Sequence, residues 1–207
     1  CRLHNNAPDL SFTINSNDCF LGTFSLKWFF KVLEQAKEIH RMEKYHGLRR
    51  QEQEIRDSAE LKAILAKTQY VTVAMCKDNE PYLVTLSHGY DEKQNAIYFH
   101  CAFAGKKIDF LKANNRVWGQ ALVDRGYVQG SCDHLFSSVQ FSGRVSFVAD
   151  EAEKGRALAV MIRQLEQEPE KVMAAKVTAA AVAKTCIGRI DIEFLSGKRS
   201  EKAAAVT

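Results

Sequence analysis

Ile97-Tyr98-Phe99-His100-Cys101-Ala102 runs directly into Phe103-Ala104-Gly105-Lys106-Lys107-Ile108-Asp109-Phe110-Leu111. The first six residues read as a buried strand that ends in a polar His and a small Ala. Gly105 supplies a tight turn, and a helix opens at two lysines. Backbone amides at a helix start, a permissive glycine and adjacent ammonium groups together suit a phosphate. Two lysines at that end oppose the helix dipole. That misfit favours an anion site over a merely solvated helix start, and the stretch points to a nucleotide-like cofactor.

Working upstream, Asp57-Ser58-Ala59-Glu60 reads as a helix start, with Asp57 or Ser58 as N-cap and Leu61, Ile64 and Leu65 as one apolar face up to about Lys67. Val71 to Met75 reads as a strand, Lys77 to Glu80 as a hairpin-type turn, and Pro81 to Tyr90 as a second strand whose proline suits an edge. Asp91 to Asn95 is a turn, Ala96 to Ala102 the third strand, and the short connections predict an antiparallel meander. Downstream come a helix over Gly105 to Asn114, a strand over Arg116 to Val123, a loop over Arg125 to Asp133 and a long strand over Phe136 to Val148. A helix over Asp150 to Glu166, a helix-prone stretch over Glu168 to Ala183 and a last strand over Thr185 to Leu195 complete the order. This is a mainly β, α+β pattern: an antiparallel barrel with flanking helices.

With 207 residues, the chain is long enough for one domain with a full core. Its net charge of +4 comes from scattered lysines and arginines, which argues against nucleic acid as a partner. The six cysteines, Cys1, Cys19, Cys76, Cys101, Cys132 and Cys186, are widely spaced and show no zinc-ligand spacing. Reduced thiols in a cytoplasmic protein are the expectation. The apolar run from Cys19 to Leu33 is interrupted by Lys27 and is too short to span a bilayer, so no membrane association is expected.

Residues 1–41 differ in composition from the rest, with Asn-rich pieces around Phe20 to Phe30, and the pattern changes at Met42. Met42 is the expected native start, with 1–41 a non-native or poorly ordered upstream segment; a genuine extension packing Trp28-Phe29-Phe30 on the body or a partner is the alternative. The body is then one domain over 42–200, with 201–207 a frayed tail.

The body resembles the FMN-binding split barrel, specifically the pyridoxamine 5′-phosphate oxidase-like group that contains the nitroimidazole-resistance (Nim) proteins. The resemblance covers roughly 47–200. It rests on Leu48 to Ile55, on Pro81 to Tyr90, on Tyr98 to Ala102 with Gly105-Lys106-Lys107, on Ser137 to Gly143, and on the closing Ile192 to Lys198. It implies a homodimer with FMN in a cleft between protomers. The family's catalytic pyridoxamine phosphate machinery is not recognisable in the chain, so oxidase activity on that vitamer is not expected. Two departures stand out: Ser137 replaces an arginine common in the group, and Gly119-Gln120 makes the fourth strand unusually polar.

Lys107 is the first candidate for the flavin phosphate, and Lys106 can share that role. The resemblance puts His100 at the cofactor-facing histidine of the Nim group; a neutral imidazole can move a proton near physiological pH. In a strand His100 shares a face with Tyr98 and Ala102. By the same resemblance Thr85, Leu86 and Ser87 run beneath the isoalloxazine, Ser138 and Val139 line the cofactor, and Lys198 and Arg199 either reach the neighbouring protomer's flavin or solvate the tail. Arg49 and Arg50 either clamp a phosphate or are simply exposed. Cys101 and Cys132 read as small core residues before redox thiols.

The expected activity is an FMN-dependent oxidoreductase that reduces a small planar acceptor such as a nitroaromatic; FAD is the alternative flavin. The sequence carries no Gly-x-Gly-x-x-Gly fingerprint for a dedicated dinucleotide domain. The rival readings are a flavin carrier without turnover, and a haem-binding barrel with His100 or His88 as axial ligand.

Overall fold

The computed structural model describes residues 48–200. The upstream segment 1–41, the proposed start at Met42 and the tail 201–207 lie outside the described residues. After a short 3-10 turn at Gln51–Gln53 the elements are β1 (Glu54–Ile55), α1 (Ser58–Lys67), β2 (Tyr70–Lys77), β3 (Glu80–Ser87), β4 (Gly89–Asp91) and β5 (Ala96–Cys101). Then come α2 (Lys106–Ala113), β6 (Arg116–Val128), β7 (Asp133–Phe147), α3 (Glu151–Leu165), α4 (Pro169–Lys176), α5 (Ala179–Lys184) and β8 (Cys186–Arg199).

The strands form one antiparallel sheet in the order β3-β2-β6-β7-β8-β5-β4, with β1 pairing β8. Sheet and helices make the expected antiparallel architecture, an open barrel split between β3 and β4. The meander expected for the first three long strands is corrected here. Pro81 to Tyr90 is not one strand: it breaks at His88, so β3 pairs only with β2, while β4 turns away to pair with β5. Pro81 sits on the edge strand β3, where its missing N–H is tolerated.

The hairpin turns follow from local chemistry. Asp78 and Asn79 take φ of 51° and 63°, a two-residue reversal that these side chains tolerate. In the next turn Asp91 Oδ1 accepts from the amides of Lys93 and Gln94. The stretch Arg125 to Asp133, expected as a loop, is mostly strand: β6 and β7 stay paired through Tyr127–His134 and Val128–Asp133, after a register shift that follows Asp124. The Glu168–Ala183 stretch is two helices, divided where Thr178 caps α5 by accepting from the Ala181 amide.

The core lies inside the curled sheet. Val71, Val73 and Met75 of β2, Val117 and Ala121 of β6, Val139, Phe141 and Val145 of β7 and Ile190 of β8 meet Leu61, Ile64 and Leu65 of α1. A second cluster lies outside: Tyr98 and Ile187 are covered by Ala157 and Met161 of α3. This double coverage explains why the β5 sequence is apolar on both faces, with Ile97 and Phe99 inward and Tyr98 outward. Helix α3 lies so close to β4 that a Cβ on Gly89 would come within 2.6 Å of the Met161 backbone nitrogen. A polar cluster fastens the same helix: Arg189 bonds Glu153 at 2.8 Å and Asp191 at 2.7 Å, and the Tyr98 hydroxyl donates to Glu153 at 3.1 Å. The hydrogen bond from Arg189 holds the Glu153 carboxyl below its ordinary range.

Candidate functional site

Helix α2 opens as the sequence suggests. Gly105 takes φ of 124°, a conformation that L side chains rarely adopt, and its carbonyl accepts from the Ile108 and Asp109 amides. The two lysines that follow point to different neighbours. Lys106 Nζ bonds Glu80 Oε1 at 2.9 Å and lies 4.8 Å from the Tyr82 ring centroid. Lys107 Nζ sits 5.6 Å from the Phe99 ring centroid and has no carboxylate partner among the described residues. Its charge also acts on the nearby Cys101 thiol.

Along β3 the side chains alternate. Thr85 and Ser87 are exposed, whereas Leu86 packs against the core. The Thr85 hydroxyl lies 3.3 Å from that of Thr72 on β2. Seven residues, about 23 Å of strand, separate Ser87 from Glu80, where Lys106 is held. His100 is exposed at the end of β5. It shares the outward face with Tyr98, opposite Phe99.

On the neighbouring strands, Val139 is fully buried and Ser138 is 7% exposed; the Ser138 hydroxyl donates to the Lys198 carbonyl at 3.4 Å. Neither side chain is presented to solvent. Lys198 is half-buried, with its ammonium 5.8 Å from the Phe136 ring centroid. Arg199 is tied to Glu60 at 2.6 Å. Ser137, which stands where the resembling group has arginine, is buried and lies in register with Arg199. Arg49 and Arg50 are exposed. One chain therefore carries its candidate residues in separate places: the α2 start, the exposed face of β3 and the β7–β8 ladder.

His88 is corrected as a candidate axial ligand by its burial. Its ring is 0% exposed, Nε2 lies 3.1 Å from the Leu65 carbonyl, and Nδ1 has no partner. Gln164 of α3 covers it, donating to the carbonyls of Leu65 at 3.1 Å and Thr68 at 2.7 Å. With that carbonyl as its partner, Nε2 carries the proton and Nδ1 stays bare. Burial lowers the His88 pKa from its ordinary 6.5. The folded chain thus resists a proton that the unfolded chain accepts, so the stability contributed here is full above pH 6.5 and is lost as pH falls below it. Urea midpoints should fall between about pH 7.5 and about pH 5.5, and His88→Gln should flatten that slope.

The four described cysteines are free. Cys101 and Cys186 face each other in register with sulfurs 3.7 Å apart, and burial, followed by the second thiol, pushes Cys101 up to about 12. That suppresses thiolate chemistry at Cys101.

Sequence reading missed the outward sheet face. Tyr70, Leu83 and Leu122 are exposed on it, and a depression of about 190 Å³ is lined by Thr72, Ala74, Leu83, Trp118, Gln120 and Gln140. The signal was present in the period-two pattern of β6, where Val117, Gly119 and Ala121 point inward and Trp118, Gln120 and Leu122 outward. Gly119 is not a polar intrusion: a Cβ there would meet the Phe141 ring at 2.1 Å. Among the described residues no group of acids, histidines and cysteines is placed to hold a metal, and no helix is long and apolar enough to cross a membrane.

The pyridoxamine 5′-phosphate oxidase family model matches residues 57–199. No curated protein matches the sequence. A solved structure from Bacteroides thetaiotaomicron, provisionally described as a 5-nitroimidazole antibiotic resistance protein, is similar at 22% identity over 70% of this chain and 85% of its own, with a TM-score of 0.60. The flavocytochrome Anf3 from Azotobacter vinelandii aligns at 21% identity, 78% and 79% coverage and a TM-score of 0.63. A FAD-binding protein from Mesorhizobium loti aligns at 26% identity, 70% and 96% coverage and a TM-score of 0.51.

Proposed function

Since this chain belongs to the pyridoxamine 5′-phosphate oxidase family, we propose that it binds a flavin, FMN by preference, and acts as a homodimeric oxidoreductase on a small planar acceptor such as a nitroaromatic. The observation that carries this reading is the unpaired Lys107 ammonium beside the first turn of α2, where Gly105 leaves the approach open. Anion binding there adds a charge-assisted contact to the amides of the helix start. Lys106, already held by Glu80, is the lesser contributor.

A flavin supplies the redox chemistry when bound, and the protein supplies binding, orientation and tuning. Lys107 holds the phosphate. Thr85 and Ser87 offer polar groups on the open face of β3, and the apolar outward face with Leu83, Tyr70 and Leu122 gives a flat ring system something to lie against. The separation of these groups within one chain favours a second protomer completing the site. The same face is the surface it would cover, with Lys198 at its β8 side. His100, on the opposite face of β5 from Phe99, is assigned to the acceptor: it orients it or delivers a proton.

The 26%-identical FAD-binding relative keeps FAD as the rival cofactor. Size-exclusion chromatography with light scattering, run with FMN and with FAD, tests the reading. It expects a dimer that co-elutes with FMN. A monomer eluting without either flavin would contradict it.

A further inference from the structure

A second cavity lies away from the sheet face, between α2, the end of β7 and the first turns of α3. It measures about 230 Å³ and is walled by Phe103, Ile108, Phe147 and Val148, with Lys112 and Lys154 among its lining residues. Lys154 is the unusual member. It is only 9% exposed, yet no acceptor pairs its ammonium among the described residues. The acids nearest in sequence are unavailable or unpaired with it. Asp150 caps α3 by accepting from the Glu153 amide, Glu153 is held by Arg189, and Glu151 makes no ion pair with Lys154. Lys112 on α2 likewise has no partner, although Asp109 lies three residues before it. The covered part of Lys154 is its stem, and an ammonium without a counter-charge beside an apolar cavity is open to pairing with a bound anion.

The geometry points to a site for a small amphiphilic monoanion, a short-chain organic carboxylate, with its head at Lys154 and Lys112 and its tail against Phe103, Ile108, Phe147 and Val148. Apolar walls with a few convergent polar groups are the usual make-up of a small-molecule site. The cavity is too small for a flavin alongside its own walls, and none of Thr85, Ser87 or Lys107 lines it. The inference therefore stands apart from the flavin reading.

Calorimetric titration of the full chain with butyrate, hexanoate, octanoate and hexan-1-ol tests it. The expected result is saturable binding of the carboxylates, rising about fourfold per added methylene until the cavity is full. Hexan-1-ol should bind roughly tenfold or more weakly than hexanoate, and Lys154→Met should weaken hexanoate by a similar factor while leaving hexan-1-ol unchanged. Saturating FMN should leave hexanoate binding intact. Absence of saturable hexanoate binding into the millimolar range would overturn the proposal. So would equal binding of acid and alcohol by the unmodified protein, a comparison that holds even if the variant fails to fold. Competition by FMN would overturn it as a separate site.

Discussion

Phe99→Ala should destabilise the fold by about 3–5 kcal/mol, the range for removing a fully enclosed aromatic side chain. Phe99 is 1% exposed in the main core. Its ring lies directly over Gly188 of β8, where an added Cβ would come within 2.2 Å of the ring. The glycine and the ring are therefore complementary: one leaves the space that the other fills. Truncation leaves a void between β5 and β8 that the paired backbones cannot close by collapsing. Against a total stability of about 5–15 kcal/mol this is a large fraction. The shift in urea midpoint measures it. A loss under about 1 kcal/mol would mean that the ring does not fill the space the structure assigns to it.

Lys107→Ala should weaken FMN binding roughly ten- to hundredfold, the effect of losing one hydrogen bond to a charged group. The fold should hardly notice, because Lys107 is half-exposed and its contact with the Phe99 ring is a long cation–π approach of 5.6 Å. Lys106→Ala should change affinity by less than about threefold, since its ammonium is already engaged by the exposed Glu80. The two neighbouring lysines thus serve as each other's control. Fluorescence titration of FMN gives the affinities, and thermal melts show whether folding is preserved. Equal losses at both positions would contradict the distinction drawn from the Glu80 pairing.

These two expectations meet at the stretch whose sequence was most informative. Gly105 and the paired lysines were legible because a turn glycine and a helix start act locally. The cap at Asp57 was legible for the same reason, and its Oδ1 accepts from the Ala59 amide at 3.0 Å. The break at His88 was not legible. Pro81 to Tyr90 alternates well enough to read as one strand, and the interruption comes from α1 and α3, through Leu65 and Gln164, closing around the imidazole. Tertiary contacts of that kind have no local signature. What covers Tyr98 was hidden likewise, because an apolar run looks the same whether a helix or a second sheet covers its other face.

The candidate site was legible in kinds of residue more than in arrangement. Thr85, Leu86 and Ser87 read as one contact strip, but the pleat sends Leu86 to the core and the other two to the open face. Ser138 read as lining the cofactor, but its hydroxyl donates to the Lys198 carbonyl, a bond that arises only when β7 pairs with β8. Lys154 drew no notice at all: on α3 it looks like an ordinary surface lysine, and only the folded structure shows that it lines a cavity with residues of α2 and β7.

The most direct test of the central claim is an absorption and fluorescence titration of the purified protein with FMN. The account predicts a perturbed flavin spectrum and quenched emission that saturate at one flavin per protomer, with Lys107→Ala shifting the curve to higher concentration. Free-flavin spectra at every concentration of FMN and of FAD, or a Soret band from haem uptake in their place, would contradict it.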